Sequence, residues 1–200
     1  MEQKLKSELT KQIIIDRSFV LFYENGFKST SILTIMKAAN LTKGAFYHHF
    51  KNKKEVGVTV ISQKLQERVY NAMIAPLYNS GNAARILEDT FYKRIQSFSL
   101  FEKKYGCPLN NLINEIGDTE KAYQLALRKI IDEWKIAIIN LIEKGKKEGS
   151  IKNSTNSASS ATYLISAFEG IRGLRKLYDN DIILDEYLLG LSFYIKQISI

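Results

Sequence analysis

Cysteine and proline are scarce in this chain: its 200 residues include one Cys, Cys107, and two Pro, Pro76 and Pro108. A lone thiol excludes an internal disulfide and every zinc-finger or zinc-ribbon spacing. Histidine is as rare, with only His48 and His49. Neighbours on a helix point about 100° apart, so these two cannot chelate one ion together and no metal is expected. Also missing are a Gly-x-Gly-x-x-Gly turn, a Walker sequence and any histidine outside one short segment. That leaves no nucleophile–base pair, metal set or phosphate cradle for an enzyme, and no cofactor is expected. No apolar run approaches the ~18 residues of a membrane span, and the charged, amphipathic start is not a secretory signal, so a cytoplasmic protein with no membrane partner is expected. Strand signals and internal repeats are absent, and low complexity is confined to the Ser/Asn/Thr-rich stretch from Asn153 to Ser160.

The chain does have a basic balance and strong helical periodicity. The net charge is +8, and residues 1–68 contain 12 Lys and Arg against 6 Asp and Glu. The excess is therefore concentrated in the first third, the footprint of a polyanion partner. With 45% hydrophobic residues, the chain is long enough for one substantial core and a smaller accessory domain.

The most informative stretch runs from Thr30 to Val56. Thr30 or Ser31 can cap a first helix, in which Ile32, Ile35, Met36 and Ala39 recur at i, i+3, i+4 and i+7 as a buried stripe. Asn40, tolerant of the left-handed conformation, stops that helix, and Leu41 plugs the corner. Thr42 then caps a second helix, Lys43 to about Phe50, held by Phe46 and Phe50. Its other face is free. Lys43, Gly44 and Ala45 lie at its N-terminal end, where small residues permit close approach to base edges. Tyr47, His48, His49, Lys51 and Lys53 supply hydroxyl, imidazole and ammonium donors suited to phosphate oxygens. Upstream, Leu5 to Tyr23 reads as an amphipathic helix ended by Glu24-Asn25-Gly26-Phe27.

This segment resembles the helix-turn-helix of the TetR/AcrR family of bacterial transcriptional regulators. Thr30, Ser31, Ile32, Ala38, Ala39, Leu41, Thr42, Lys43, Gly44, Phe46, Tyr47, His48, Phe50 and Lys53 fit the family pattern; Asn40 replaces the usual turn glycine and Met36 a small residue. The resemblance implies a DNA-binding regulator, most readily a repressor, that reads a palindromic operator on double-stranded DNA as a homodimer and is released by a small-molecule inducer; the aromatic residues of the middle helices make an apolar or aromatic inducer the expectation. The DNA-contacting residues are then Thr30, Thr42, Lys43, Gly44, Ala45, Tyr47, His48, His49 and Lys53. Two other readings stand beside it: a DNA-binding or nucleoid-organising protein without an effector, and an electrophile or redox sensor acting through Cys107, which sits before Pro108 and near Lys103 and Lys104.

Beyond Lys53 the pattern predicts an all-α arrangement of about nine helices: a DNA-binding domain over residues 1–53 and an effector-binding and dimerisation domain over 54–200. Further helices are predicted from Lys54 to Ala75, Asn82 to Lys103, Pro108 to Ile116, Asp118 to Lys147, Asn156 to Tyr178 and Ile182 to Ile198. The last two have broad apolar faces suited to a dimer. An aromatic stripe comprising Phe91, Ile95, Phe98, Ile113, Trp134, Ile138, Tyr163 and Phe168 reads either as packing or as the lining of a ligand pocket.

Overall fold

The computed structural model describes residues 2–200, Glu2 by its backbone alone. The described residues are helical throughout, apart from loops and one isolated antiparallel bridge between Ile151 and Ser199. The helices are α1 (Glu2–Asn25), α2 (Ile32–Ala38), α3 (Lys43–His49), α4 (Lys53–Val60), α5 (Gln66–Val69), α6 (Ala83–Gln96), α7 (Leu100–Tyr105), α8 (Pro108–Ile116), α9 (Lys121–Glu148), α10 (Ser157–Leu174) and α11 (Ile182–Ile198). Residues 53–78 are helical without interruption, with π-type turns at Ile61–Leu65 and Tyr70–Ile74 on either side of α5.

Two differences from the predicted elements have local causes. The helix predicted over residues 82–103 breaks at Ser97. There the Ser97 hydroxyl donates to the Arg94 carbonyl at 2.8 Å. Ser99 and Glu102 then form a capping box that starts α7, each side chain satisfying a backbone N–H of the other. Thr119 does not open α9; its hydroxyl donates back to the Ile116 carbonyl at 2.9 Å, closing α8 instead.

The chain divides into two compact units, residues 1–67 with 108–128, and residues 68–107 with 129–200. The compact unit that holds α1 to α4 thus also includes α8. The first unit buries Ile14, Ile15 and Phe22 of α1, Ile35 and Met36 of α2, Phe46 of α3, Val56 and Val60 of α4, and Leu109, Leu112 and Ile116 of α8. Glu115 explains why α8 belongs there: its two carboxylate oxygens accept from the backbone N–H groups of Phe27 and Lys28 at 2.7 and 2.6 Å, just after α1 ends. Phe27 meets Tyr123 edge to face at 5.4 Å. Gly57 is small by necessity, since a Cβ at that position would come within 2.7 Å of the Phe27 ring.

The second unit is organised around Phe91, Trp134 and Phe168 from α6, α9 and α10, with Ile95, Ile138, Leu184, Leu188 and Leu191 also buried. The beginning of α6 is fixed by Asn82, which caps the Arg85 N–H, and by Glu148, which accepts from the Ala83 N–H at 2.6 Å.

Hydrogen bonds to a charged acceptor contribute about 1.5–3 kcal/mol, and Glu115 accepts one from each of Phe27 and Lys28. Glu115→Ala is therefore expected to cost about 2 kcal/mol, and Glu115→Gln distinctly less because one acceptor remains. Urea unfolding followed by circular dichroism measures both; equal losses for the two variants would count against the double bond.

Candidate nucleic-acid interface and effector cavity

The geometry of the DNA-facing segment is set by three caps and one turn. Ser31 Oγ accepts from the Thr34 N–H at 3.0 Å, Thr42 Oγ1 from the Ala45 N–H at 3.3 Å, and Asn52 Oδ1 from the Glu55 N–H at 3.0 Å. These fix the starts of α2, α3 and α4. Between α2 and α3, Asn40 adopts φ +54°, the only positive φ outside glycine among the described residues, as its residue type suggested. Phe46 and Phe50 are buried, with ring centroids 5.8 Å apart, so the opposite face of α3 is left outward. Thr42, Lys43, Gly44, Tyr47 and His48 are exposed there, and Ala45 and His49 partly so.

Individual residues in this segment differ in what they offer. Tyr47 is 52% exposed, and the Lys43 ammonium stands 5.9 Å from its ring centroid. Burial, His48 and Lys11 pull the His49 pKa below its ordinary value, against an opposing effect of Glu8. Lys53 lies 4.4 Å from the Phe27 ring centroid, and its ammonium donates to the Lys28 carbonyl at 3.3 Å; burial lowers its pKa and Glu115 opposes that. Thr30 has turned inward. Only 1% exposed, its hydroxyl donates to the Gly26 carbonyl at 2.7 Å, so it braces the corner after α1 and presents nothing to the outer face; Ser31 is the cap.

The residues of the predicted aromatic pocket have separate fates. Phe91, Trp134 and Phe168 pack against one another with centroids 5.5–6.1 Å apart, and Phe98 joins them 6.1 Å from Phe168. Ile95 and Ile138 are buried in the same unit. These side chains fill one another's space. Ile113 belongs to the other unit, and Tyr163 is exposed, its ring tilted against Tyr194 with centroids 4.7 Å apart. Open volume lies on a different face of α6, in a cavity of about 790 Å³ lined by Arg68, Ile86, Asp89, Lys93, Arg94 and Glu102 among others.

One wall of that cavity is an ionic cluster that the sequence reading missed. Glu102 is bonded to both Arg68 and Arg94, and Arg172 stands 3.8 Å from the same carboxylate. Burial opposes the charge on Glu102, yet Arg94, the Ser99 N–H and Arg68 outweigh it and hold the carboxyl below its ordinary range. Burial lowers the pKa of Arg94, with Glu102 offsetting and the other two arginines adding to the shift. The Ser-x-x-Glu spacing at Ser99 was the one local signal; the arginines come from residues 68, 94 and 172.

Further inward, Glu169 is hydrogen-bonded to the Cys107 thiol, and its Oε2 has no partner. Cys107 is buried. The lysines thought to activate it are engaged elsewhere: Lys103 with Asp181 at 2.5 Å and Lys104 over the Tyr105 ring.

Residues 14–56 match the family model described as bacterial regulatory proteins, tetR family, and residues 87–189 match one described as tetracyclin repressor-like, C-terminal domain. The chain is 23% identical over 185 residues to the HTH-type transcriptional repressor DhaR of a Mycobacterium strain, covering 89% of this chain and 88% of that one. It is 31% identical over 144 residues to the transposon Tn10 TetC protein of Escherichia coli, with 72% and 68% covered. A crystal structure of a TetR-family transcriptional regulator from Cytophaga hutchinsonii superposes with a TM-score of 0.86 at 25% identity, covering 98% of this chain and 97% of that one.

Burial raises the Glu169 carboxyl above its ordinary value of 4.5, with Arg172, Cys107 and Arg94 pulling the other way. A raised carboxyl binds its proton more tightly folded than unfolded, so its contribution is complete below the ordinary value and declines as pH rises through the folded one. Glu169→Gln is expected to remove that decline and to gain stability relative to the unmodified chain as pH rises. Urea midpoints taken across the acid-to-neutral range decide it; parallel profiles would refute the assignment.

Proposed function

The chain belongs to the TetR family of bacterial regulatory proteins, and from that premise we propose that it is a ligand-responsive repressor, binding a palindromic operator as a homodimer and released by a small-molecule inducer. The observation that carries the DNA reading is the outward face of α3, anchored from behind by Phe46 and fixed at its start by Thr42. Lys43, Gly44 and Ala45 face base edges, while Thr42, Tyr47, His48, His49 and Lys53 hold phosphates.

The dimer reading is supported by one apolar stripe on each of the last two helices. Tyr163 and Leu174 on α10, and Ile182, Leu189 and Phe193 on α11, are all exposed, at spacings of 11, then 7 and 4 residues that keep each set on one helical face. Gly170, Gly173 and Gly190 have open space where a Cβ would stand, which lets a partner helix approach closely. A single seven-residue helix reads too few base pairs for specificity, so two copies related by a two-fold axis suit a palindrome.

The effector reading is supported by the cavity of about 790 Å³, within the size range of small-molecule sites. An apolar or aromatic inducer resting there has Phe91 and Ile95 of α6 behind it. The helical run over residues 53–78 begins beside the DNA-facing lysines and includes Arg68, Ala72 and Pro76 of the cavity, which makes it the natural lever. The burial of Cys107 favours a packing role for the thiol over a sensing one.

Tyr47→Phe is expected to weaken DNA binding at all sequences by about 1 kcal/mol per half-site, since one phosphate hydrogen bond is lost. Lys53→Ala should flatten the salt dependence by about 0.9 unit per phosphate contact, and Lys43→Ala should alter sequence preference. Selection from a random DNA pool followed by anisotropy titrations in varied salt checks all three; an unchanged preference with Lys43→Ala would remove it from base readout.

Leu189 and Phe193 are 73% and 66% exposed in the protomer, so Leu189→Glu or Phe193→Glu is expected to leave the fold intact while giving a monomer that has lost operator affinity. Sedimentation and circular dichroism measure this. A dimer that survives both changes would place the interface elsewhere.

A further inference from the structure

The cavity beside α6 is lined by three cations, Arg68, Lys93 and Arg94, against two anions, Asp89 and Glu102. Among the described residues the anion bonded to Arg68 and Arg94 is Glu102, and Arg172, outside the lining, stands 3.8 Å from it. The other charged pair on the wall, Lys93 with Asp89 at 2.9 Å, cancels itself. Glu169, deeper in the unit, is influenced by Arg172 and Arg94, and its burial favours the neutral form. Arg94 is 13% exposed and Arg68 34% exposed, so one guanidinium is largely withdrawn from solvent while the other still reaches it. Crowded, partly desolvated guanidinium groups attract a further anion, and their planar forks match a carboxylate. The remaining wall includes Ala72, Pro76 and Ile86, an apolar surface without a charge to match.

We propose that this cavity binds a small organic acid, its carboxylate seated on Arg68 and Arg94 and its apolar body against Ala72, Pro76 and Ile86. This rests on the reading of the chain as an effector-responsive regulator and supplies the chemical class of the effector. The ligand carboxylate competes with Glu102 for the two arginines. Glu102 also caps α7 through the Ser99 N–H, so a ligand that draws Arg68 away loosens the tie between that capping box and the helical run containing α5.

The test uses the whole 200-residue chain and matched pairs of probes: hexanoate, benzoate, phenylacetate and 3-phenylpropionate, each against its primary amide, with sodium sulfate as the simple-anion control. Thermal shift and Trp134 fluorescence at about 10 mM probe, a concentration at which even millimolar affinity registers, are followed by calorimetric titration. The expected result is stabilisation by at least one acid and by neither its amide nor sulfate, with Arg68→Gln weakening that acid by about tenfold or more. Arg94→Gln is the stronger test of the anion seat. Arg68→Gln keeps the question open to experiment where loss of buried Arg94 prevents folding. The assignment is overturned by amides that bind as well as acids, by a panel in which no acid binds, or by acid binding indifferent to Arg68→Gln. Operator binding by the unliganded protein, measured separately on selected DNA, reports on the regulator reading alone. Operator binding with no acid response overturns the site and leaves the regulator; an acid response without operator binding does the reverse.

Discussion

The two helices of the DNA-facing motif, Ile32–Ala38 and Lys43–His49, are seven residues each, and a helix of that length has no stability of its own in water. Everything that makes α3 a rigid presenter of Lys43, Gly44 and Tyr47 must therefore come from outside it. Thr42 supplies the cap, Asn40 the left-handed residue of the turn, and Phe46 and Phe50 the buried anchor. The scaffold has the same need. The corner at Phe27 and Lys28 depends on Glu115, a residue far away in the chain, and on the Thr30 hydroxyl below it. Because a carboxylate satisfies two adjacent backbone donors, α8 belongs to the same compact unit as α1 and fixes the platform on which the short helices stand.

The second unit meets a different constraint, which is to bury charge inside a helical core. Glu102 among Arg68, Arg94 and Arg172 is costly to dehydrate, and geometry decides whether mutual attraction offsets that cost. Here the carboxylate also receives the Ser99 N–H in a capping box, and Arg94 and Arg172 lie against the Phe98 ring at 4.8 and 4.9 Å. The guanidinium planes thus serve both the ion cluster and the aromatic core. Phe98, Phe168, Phe91 and Trp134 continue that contact inward, so the polar wall and the apolar core are one packed structure.

Local signals made much of this legible in the sequence. Pro108 opened α8, Asn156 capped α10, Asn40 took the left-handed conformation, and α11 runs over the predicted residues Ile182–Ile198. Each depends on a few neighbouring residues, the range over which sequence patterns act. The failures have the opposite character. Thr30 looked like an exposed cap beside Ser31, and only the fold of the preceding corner turns it inward. Of the aromatic stripe, Phe91, Ile95, Phe98, Trp134, Ile138 and Phe168 are buried in one unit while Ile113 and Tyr163 lie apart from them, and periodicity cannot tell a filled interior from a hollow one. Helix α6 is covered by aromatic packing on one face and opens onto the cavity with Asp89, Lys93 and Arg94 on another. The break at Ser97 was readable from Ser-x-x-Glu, but helical propensity on both sides hid it.

The ionic wall also bears on how a repressor of this family could be switched with modest binding energy. A ligand that places a new charge in a buried site must overcome its own dehydration, whereas one that takes over an existing guanidinium pair replaces one carboxylate with another. The arginines remain paired; what changes is their tie to Glu102 on α7. Arg68 lies in α5, between the π-type turns Ile61–Leu65 and Tyr70–Ile74, and π-type turns are places where a helix can shift its register of hydrogen bonds without breaking. On the proposed site, exchange at Arg68 would act where the helical run is least regular. Linkage requires that whatever affinity the ligand loses when DNA is bound equals what DNA loses when the ligand is bound, typically about 1–3 kcal/mol. Releasing one charge-assisted hydrogen bond from Glu102 is of that magnitude, so on the proposed site exchange at Arg68 alone would match the coupling.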